Sequence, residues 1–250
     1  MPPITTKTGK SAPALFRQHK GAADLPAPET RAGLVDAAYQ AVRLAIRDNV
    51  FPPGYQAAEA EIARQLGMSR TPVHEAMTRL QEEGLVRILA RRGILVCSLA
   101  PGDIQEIYEL IIALEGAAAE RIAKSPPAVR GPVLEQLEEA TASMQKTLDQ
   151  DDLIAWAKAD ENFHDALVGG CGNRRLLRMI GTVTDQSHRS RMLTLHLRPK
   201  PVASAKEHRQ IIAAIRKGDA EAASQAARIH RQRARDQILP LIARLNLSNL

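Results

Sequence analysis

The sequence predicts a mainly α chain in two parts, an N-terminal winged helix-turn-helix and a C-terminal antiparallel all-α bundle. Three observations predict it. Alanine and leucine abound while aromatics make up 3% of the 250 residues, which favours helices over sheets. Between Glu59 and Gly93, two short helical patterns are separated by a tight break and followed by two short apolar runs. From Asp103 onward, every apolar pattern repeats at helical spacing.

Residues 1–28 hold Pro2, Pro3, Pro13, Pro26 and Pro28 among scattered Lys, Ser and Gly, with no periodicity, and read as a disordered tail. A winged helix-turn-helix domain is expected over residues 29–98. Its first helix carries the stripe Leu34, Val35, Ala38, Val42, Ala45, Ile46, and Phe51-Pro52-Pro53-Gly54 turns the chain. Ile62, Ala63 and Leu66 give the next helix its apolar face, and Gly67 ends it as a left-handed residue. Ser69 or Thr71 caps the following helix, with Pro72 in its first turn. Val73, Ala76, Met77 and Leu80 face inward, while Arg70, Thr71, His74, Glu75 and Arg79 face outward. Gly84 stops this helix. Leu85–Leu89 and Ile94–Ser98 read as strands joined by the basic tip Ala90-Arg91-Arg92-Gly93, a wing able to reach a DNA backbone or minor groove.

Residues 99–102 read as a linker and residues 103–245 as an all-helical domain. Asp103 caps a helix with Ile104, Ile107, Ile111, Leu114 and Ala118 on one face; Ser125-Pro126-Pro127 breaks it. A second helix is marked from Val133 to Leu148. A third starts at Asp151 or Asp152 and runs to Gly169-Gly170. A fourth opens at Asn173 and ends near Pro199, and a fifth spans about Pro201 to Lys217. A last helix follows Gly218-Asp219 and runs to near Pro240 or a little beyond.

The hydrophobic fraction of 44% suffices for two cores. The formal charge is +6, of which residues 1–98 carry +4, a slight lean toward the helix-turn-helix. Cys97 and Cys171 lack metal-like spacing and read as free thiols of a reducing cytosol. No apolar run is long enough to span a bilayer and no signal-peptide core is evident, so a cytoplasmic protein without membrane association is expected.

The run PPG at Pro52–Gly54, then LGMSRTPVHEAMTRLQEEGLV and RRGILV, resembles the winged-helix domain of the GntR family of bacterial transcription regulators. The resemblance implies that Ser69, Arg70, Thr71, His74, Arg79, Arg91, Arg92 and Gly93 form the DNA-binding surface. Arg70 is the candidate for a bidentate base contact, and Arg91 and Arg92 for anchoring the wing. The family commonly has arginine where His74 stands, so one permanent cation is missing from the recognition helix.

A second constellation lies in the bundle. Asp160 and His164 are four apart and share a helix face. His208 and His230 lie on the fifth and last helices. Three imidazoles and a carboxylate suit a divalent transition metal, Zn²⁺ most readily, with Ni²⁺ or Mn²⁺ as alternatives. Spacing alone favours four unrelated surface or singly hydrogen-bonded side chains, since one such pair and two distant histidines occur by accident. Residues 103–240 also resemble the FCD effector domain of FadR-like GntR regulators, through Asp160-Glu-Asn-Phe-His164, Asn173, Glu207-His208, Ala214-Ile215 with Gly218-Asp219, and His230. In that family the matching Asp and three His bind a metal, which in turn binds a small organic acid or similar effector. Ile111 stands where the family often has an arginine four residues before Glu115. Either the effector is less acidic, or another arginine, Arg189 or Arg191, substitutes in contacting it; a solvated helix surface is the plain alternative for both. Arg228, Arg231, Arg233 and Arg235 read as a solvated face, and Trp156 and Phe163 as core.

Together these imply a homodimeric, sequence-specific DNA-binding transcription regulator and not an enzyme. Its partners would be double-stranded operator DNA and a small metabolite, an organic acid, bound at the metal site. Two other readings stand beside it: a metal-dependent hydrolase with an accessory winged helix, and an architectural DNA-binding dimer without an effector.

Overall fold

The computed structural model describes residues 30–245, so the tail reading for residues 1–28 lies outside the described residues. Contacts divide the chain into two units. The smaller comprises residues up to 46 together with 55–96; the larger comprises 47–54 and the chain from 97 on.

The smaller unit contains α1 (Arg31–Arg47, whose last residue falls in the larger unit), β1 (Gln56–Ala57), α2 (Glu59–Leu66), α3 (Arg70–Glu82), β2 (Val86–Leu89) and β3 (Gly93–Val96). Val35, Ala38, Val42, Ala45 and Ile46 of α1 bury the predicted stripe, joined by Tyr39. Ile62 and Ala63 of α2 and Val73, Ala76, Met77 and Leu80 of α3 are buried as well. Gly67 ends α2 at φ 66, where its N–H is donated to α2 carbonyls, as a left-handed C-terminal glycine does. Ser69 takes the N-cap position of α3, but its side chain caps nothing there, so the expected cap bond is absent.

The sheet is antiparallel in the order β1-β3-β2, with Val86 opposite Val96 and Leu89 opposite Gly93. The strand β1 was not anticipated, because two residues carry no alternation to read. It fixes the identity of Gly93. This residue has φ +85, and a Cβ there would lie 2.1 Å from the Ala57 carbonyl oxygen.

The larger unit contains α4 (Pro101–Lys124), α5 (Pro127–Asp149), α6 (Leu153–Gly169), α7 (Arg174–Thr194), a 3₁₀ turn (Leu195–Leu197), α8 (Val202–Lys217) and α9 (Ala220–Leu245). α4 packs on α9 and α7, α5 on α6 and α8, and α8 on α9. Ile104, Tyr108, Leu137, Phe163, Leu167, Ile211, Ile215 and Ile238 lie at the centre of the core.

Several boundaries move. α4 begins at Pro101, so two of the four expected linker residues are helical and Leu99 is buried in this core. Asp103 sits at the third helical position, and its carboxylate accepts from the Ala100 N–H at 2.8 Å. α5 starts at Pro127 rather than Val133 and carries Pro132 inside. Its first turn is tied back by Arg130, which donates to the Ala123 carbonyl at the end of α4 at 3.0 Å. α9 runs through Pro240 to Leu245, because Ile238 and Ile242 on either side of the proline are both fully buried. Packing there outweighs the lost backbone hydrogen bond, a cost of about 3 kcal/mol.

Candidate metal centre and nucleic-acid interface

In the larger unit, α6 supplies Asp160 and His164, one turn apart on the same face. α8 supplies His208 and α9 supplies His230. All four are buried, and one ligand atom from each lies within 4.8 Å of the others. His230 Nε2 is 3.2 Å from His208 Nε2 and 3.3 Å from His164 Nε2. Asp160 Oδ1 is 3.8 Å from His164 Nε2 and 3.8 Å from His208 Nε2. Donors bound to one tetrahedral ion at the usual Zn–N distance are about 3.3 Å apart.

The protons give a sharper test. A carboxylate only accepts hydrogen bonds. Glu115 Oε2 lies 3.0 Å from His164 Nδ1, and Glu207 Oε2 lies 2.7 Å from His230 Nδ1, so both Nδ1 atoms carry hydrogen. In the neutral rings both Nε2 atoms are then lone pairs, facing each other across 3.3 Å. Two lone pairs so placed repel, and a cation between them turns the repulsion into ligation. The donor set therefore fits a divalent transition metal.

The electrostatics agree. Burial, reinforced by Arg231, pushes the His164 imidazole down to about 4. Burial, with His230 next, pushes His208 down as well. Neutral imidazole is the form a metal takes. Burial pushes the Asp160 carboxyl up, but Arg191 and His164 outweigh it and leave the group below its ordinary value. Phe163 stacks on the His208 ring at 3.6 Å between centroids, 6° from parallel, and holds the plane of that ring.

Behind the ligands lies a layer that sequence reasoning missed. Arg231 was expected on a solvated face. It is buried, donating from Nε to Glu115 Oε2 at 2.7 Å and from Nη2 to Glu115 Oε1 at 2.5 Å. Burial alone would push the Glu115 carboxyl up; Arg231 and His164 hold it well below the usual carboxylate range. Arg233, half-buried, pairs with Glu207, donating from Nη2 to Oε2 at 2.6 Å. The signal available was Glu115 itself, an acid within the apolar stripe of Ile104, Ile107, Ile111 and Ala118.

The two candidate effector arginines part company. They are two residues apart on α7, about 200° around a helix. Arg191 Nη1 donates to Asp160 Oδ2 at 2.5 Å and so belongs to the site. Arg189 is fully buried and donates to the Cys97 carbonyl at 2.7 Å, which removes it from the candidate set. Arg198 donates to the Arg191 carbonyl, while its Nε and the Tyr108 hydroxyl are buried without a hydrogen-bond partner among the described residues. Glu161, next to Asp160, is bound by Lys158 at 2.8 Å and lies 3.4 Å from His188 Nδ1. It is engaged elsewhere and is not poised as a general base for hydrolysis.

In the smaller unit, the outer face of α3 presents Arg70, Thr71 and His74, preceded by Ser69, all exposed. His74 Nδ1 lies 3.0 Å from Glu59 Oε1, at the start of α2. Arg79 is set apart from this group. Its guanidinium lies 4.0 Å over the Tyr39 ring and bonds Asp36 of α1 at 3.3 Å. Glu75 likewise pairs with Arg31 of α1. At the wing tip Arg91 and Arg92 are exposed, and Gln56 Nε2 donates to the Arg92 carbonyl at 3.0 Å. Gly93 offers no side chain; it permits the close crossing of β1.

Comparison with known proteins places both units. Residues 34–96 match the family described as bacterial regulatory proteins, gntR family, and residues 106–233 match the FCD domain. An uncharacterized HTH-type transcriptional regulator in the TAR-I ttuE-ttuC' intergenic region of Agrobacterium vitis is 64% identical over 137 residues, 55% of this chain and 80% of that one. The uncharacterized HTH-type transcriptional regulator YdhC of Bacillus subtilis is 31% identical over 193 residues, 77% and 85% of the two chains. A crystal structure of a GntR-type regulator from Rhodococcus sp. RHA1 superposes with a TM-score of 0.68 at 25% identity, covering 82% of this chain and 97% of that one.

Proposed function

Because the chain belongs to the GntR family of bacterial transcriptional regulators and carries an FCD effector domain, we propose that it is a homodimeric regulator. In this reading its grip on operator DNA is set by a small organic acid bound at a metal site. The observation that carries this is the convergence of the His164, His208 and His230 Nε2 atoms beside Asp160.

These four residues would hold the ion, Zn²⁺ most readily given three imidazoles and one carboxylate, with Ni²⁺ or Mn²⁺ as alternatives. When bound, the ion supplies a Lewis-acidic anchor for an oxygen of the effector. The chain's own residues do the rest. Glu115 and Glu207 fix the ring tautomers and orientations, and Arg231 and Arg233 fix those carboxylates in turn. Arg191 stands in for the arginine that Ile111 replaces and would meet an effector carboxylate at the Asp160 edge of the site. The unpartnered Tyr108 hydroxyl and Arg198 Nε supply further donors for a polar anion.

In the DNA-binding unit, Arg70 and Thr71 at the N-terminus of α3 would meet base edges and phosphate in the major groove. Arg91 and Arg92 would hold the backbone beside the wing. A dimer with twofold symmetry would read two half-sites. An effector alters this binding only by favouring one dimer arrangement over another. Titrating a labelled operator, selected from randomised duplexes, with metal-loaded protein and a panel of organic acids tests the reading. At least one acid should change operator affinity in the parent and fail to do so in His208→Ala. A panel that shifts both proteins alike would count against it.

A further inference from the structure

His74, on the outer face of α3, is held by a partner that fixes what it can read. Its Nδ1 is 3.0 Å from Glu59 Oε1. Glu59 occupies the first position of α2, and its side chain is 16% exposed, whereas that of His74 is 58% exposed. The pair therefore has a sheltered end and an open end. A carboxylate has no hydrogen to give, so the ring must donate from Nδ1. In the neutral ring the other nitrogen, Nε2, is then a lone pair on the open side of the helix. Arg70 and Thr71, one turn before it, are exposed on the same helix surface.

We propose that Glu59 makes His74 a hydrogen-bond acceptor in the major groove, reading the exocyclic amino group of an adenine or a cytosine. An arginine in this place donates and reads the O6 and N7 acceptors of guanine. An imidazole held in this way and a guanidinium would therefore read opposite kinds of base atom. Glu59 is a positioning residue here: it touches no base and acts through the imidazole it orients. This inference rests on the DNA-binding reading of α3.

The test is a base-analogue scan at about pH 8, above the range in which histidines ordinarily charge. The full-length protein first selects an operator from randomised duplexes. In that operator each adenine is replaced in turn by purine and each cytosine by 2-pyrimidinone, deleting one amino group at a time. In a parallel set, 7-deazapurines delete N7 acceptors. Affinities are measured for the parent, His74→Ala, His74→Arg and Glu59→Ala. One amino deletion per half-site should weaken the parent about fivefold, the value of one net hydrogen bond, and leave His74→Ala unchanged. Glu59→Ala should show a smaller loss at the same position, and His74→Arg, tested on an operator selected by that variant, should be sensitive to a 7-deazaguanine and to no amino deletion coupled to position 74. The proposal is overturned if no amino deletion is coupled to His74, if the atom coupled to His74 is an acceptor, or if Glu59→Ala responds as the parent does. A parent that selects no operator would refute the DNA-binding reading and the inference with it. Because His74→Arg leaves α2 untouched, its result stands even if Glu59→Ala folds poorly.

Discussion

Glu115 Oε2 lies 3.0 Å from His164 Nδ1, across 49 positions of sequence and inside a fully packed core. The same oxygen also receives Arg231 Nε at 2.7 Å. One buried carboxylate thus decides which nitrogen of His164 can face a metal, and one buried guanidinium decides that the carboxylate stays ionised. Glu115→Gln should weaken metal affinity about 10- to 100-fold, the usual effect of losing such a support. It should also lower stability by about 3–5 kcal/mol, since Arg231 is left charged and unpaired. Metal titration and denaturant unfolding measure the two effects, and unchanged values in both would remove Glu115 from the site.

Removing the metal should loosen the bundle. An ion held only by the folded state stabilises it by about 2.7 kcal/mol at a free concentration 100 times its Kd. Chelator treatment should therefore lower the melting temperature of the parent, and added Zn²⁺ should restore it. His230→Ala should show neither response. A parent melting curve indifferent to both additions would show that no structural ion is bound.

The arginines proposed to face DNA should separate by role. Arg70→Ala should cost about 1–3 kcal/mol and relax selectivity at one base per half-site. Arg91→Ala or Arg92→Ala should weaken binding alike on all sequences and reduce the salt slope by about one phosphate contact. Arg79→Ala should act mainly on stability, because its guanidinium stacks on Tyr39 and bonds Asp36. Mobility shifts on operator variants at several salt concentrations distinguish the three patterns. Equal losses for Arg70→Ala on every variant would assign it to phosphate.

Alkaline pH should weaken the smaller unit through Tyr39. Its hydroxyl donates to Glu83 Oε1 at 2.8 Å, and burial, then Glu83, push the phenol up to about 12. In the unfolded chain a tyrosine ionises near 10. Between these values the folded state holds the extra proton, so the contribution is complete below about pH 10 and is lost as pH rises toward 12. Tyr39→Phe should flatten the decline of melting temperature across that window. An identical slope in both proteins would contradict the assignment.

How much of this could be read beforehand depended on distance along the chain. Ile62, Gly67 and Val73 to Leu80 announce their roles through local spacing, and the structure keeps them. For Asp160 and His164 local spacing gives only a shared helix face, one turn apart; that they meet His208 and His230 is not written in it. The Glu115–Arg231 pair spans 116 positions, and no local pattern links an acid on α4 with a base on α9. Arg231 stands among other arginines in a sequence that reads as solvated, and only the packing of α9 on α4 turns it inward. Arg189 was obscured for the same reason. Apolar spacing puts the start of α5 late, at Val133, where that spacing begins, whereas the helix begins at Pro127 and carries Pro132 inside.

The most direct measurement is the metal content of the purified full-length protein by mass spectrometry, for the parent and for a His208→Ala/His230→Ala variant. The account predicts about one equivalent of a divalent transition metal per chain in the parent, Zn²⁺ foremost, and almost none in the variant. A parent that stays metal-free after incubation with Zn²⁺, Ni²⁺ and Mn²⁺, or a variant that binds as much as the parent, would contradict it.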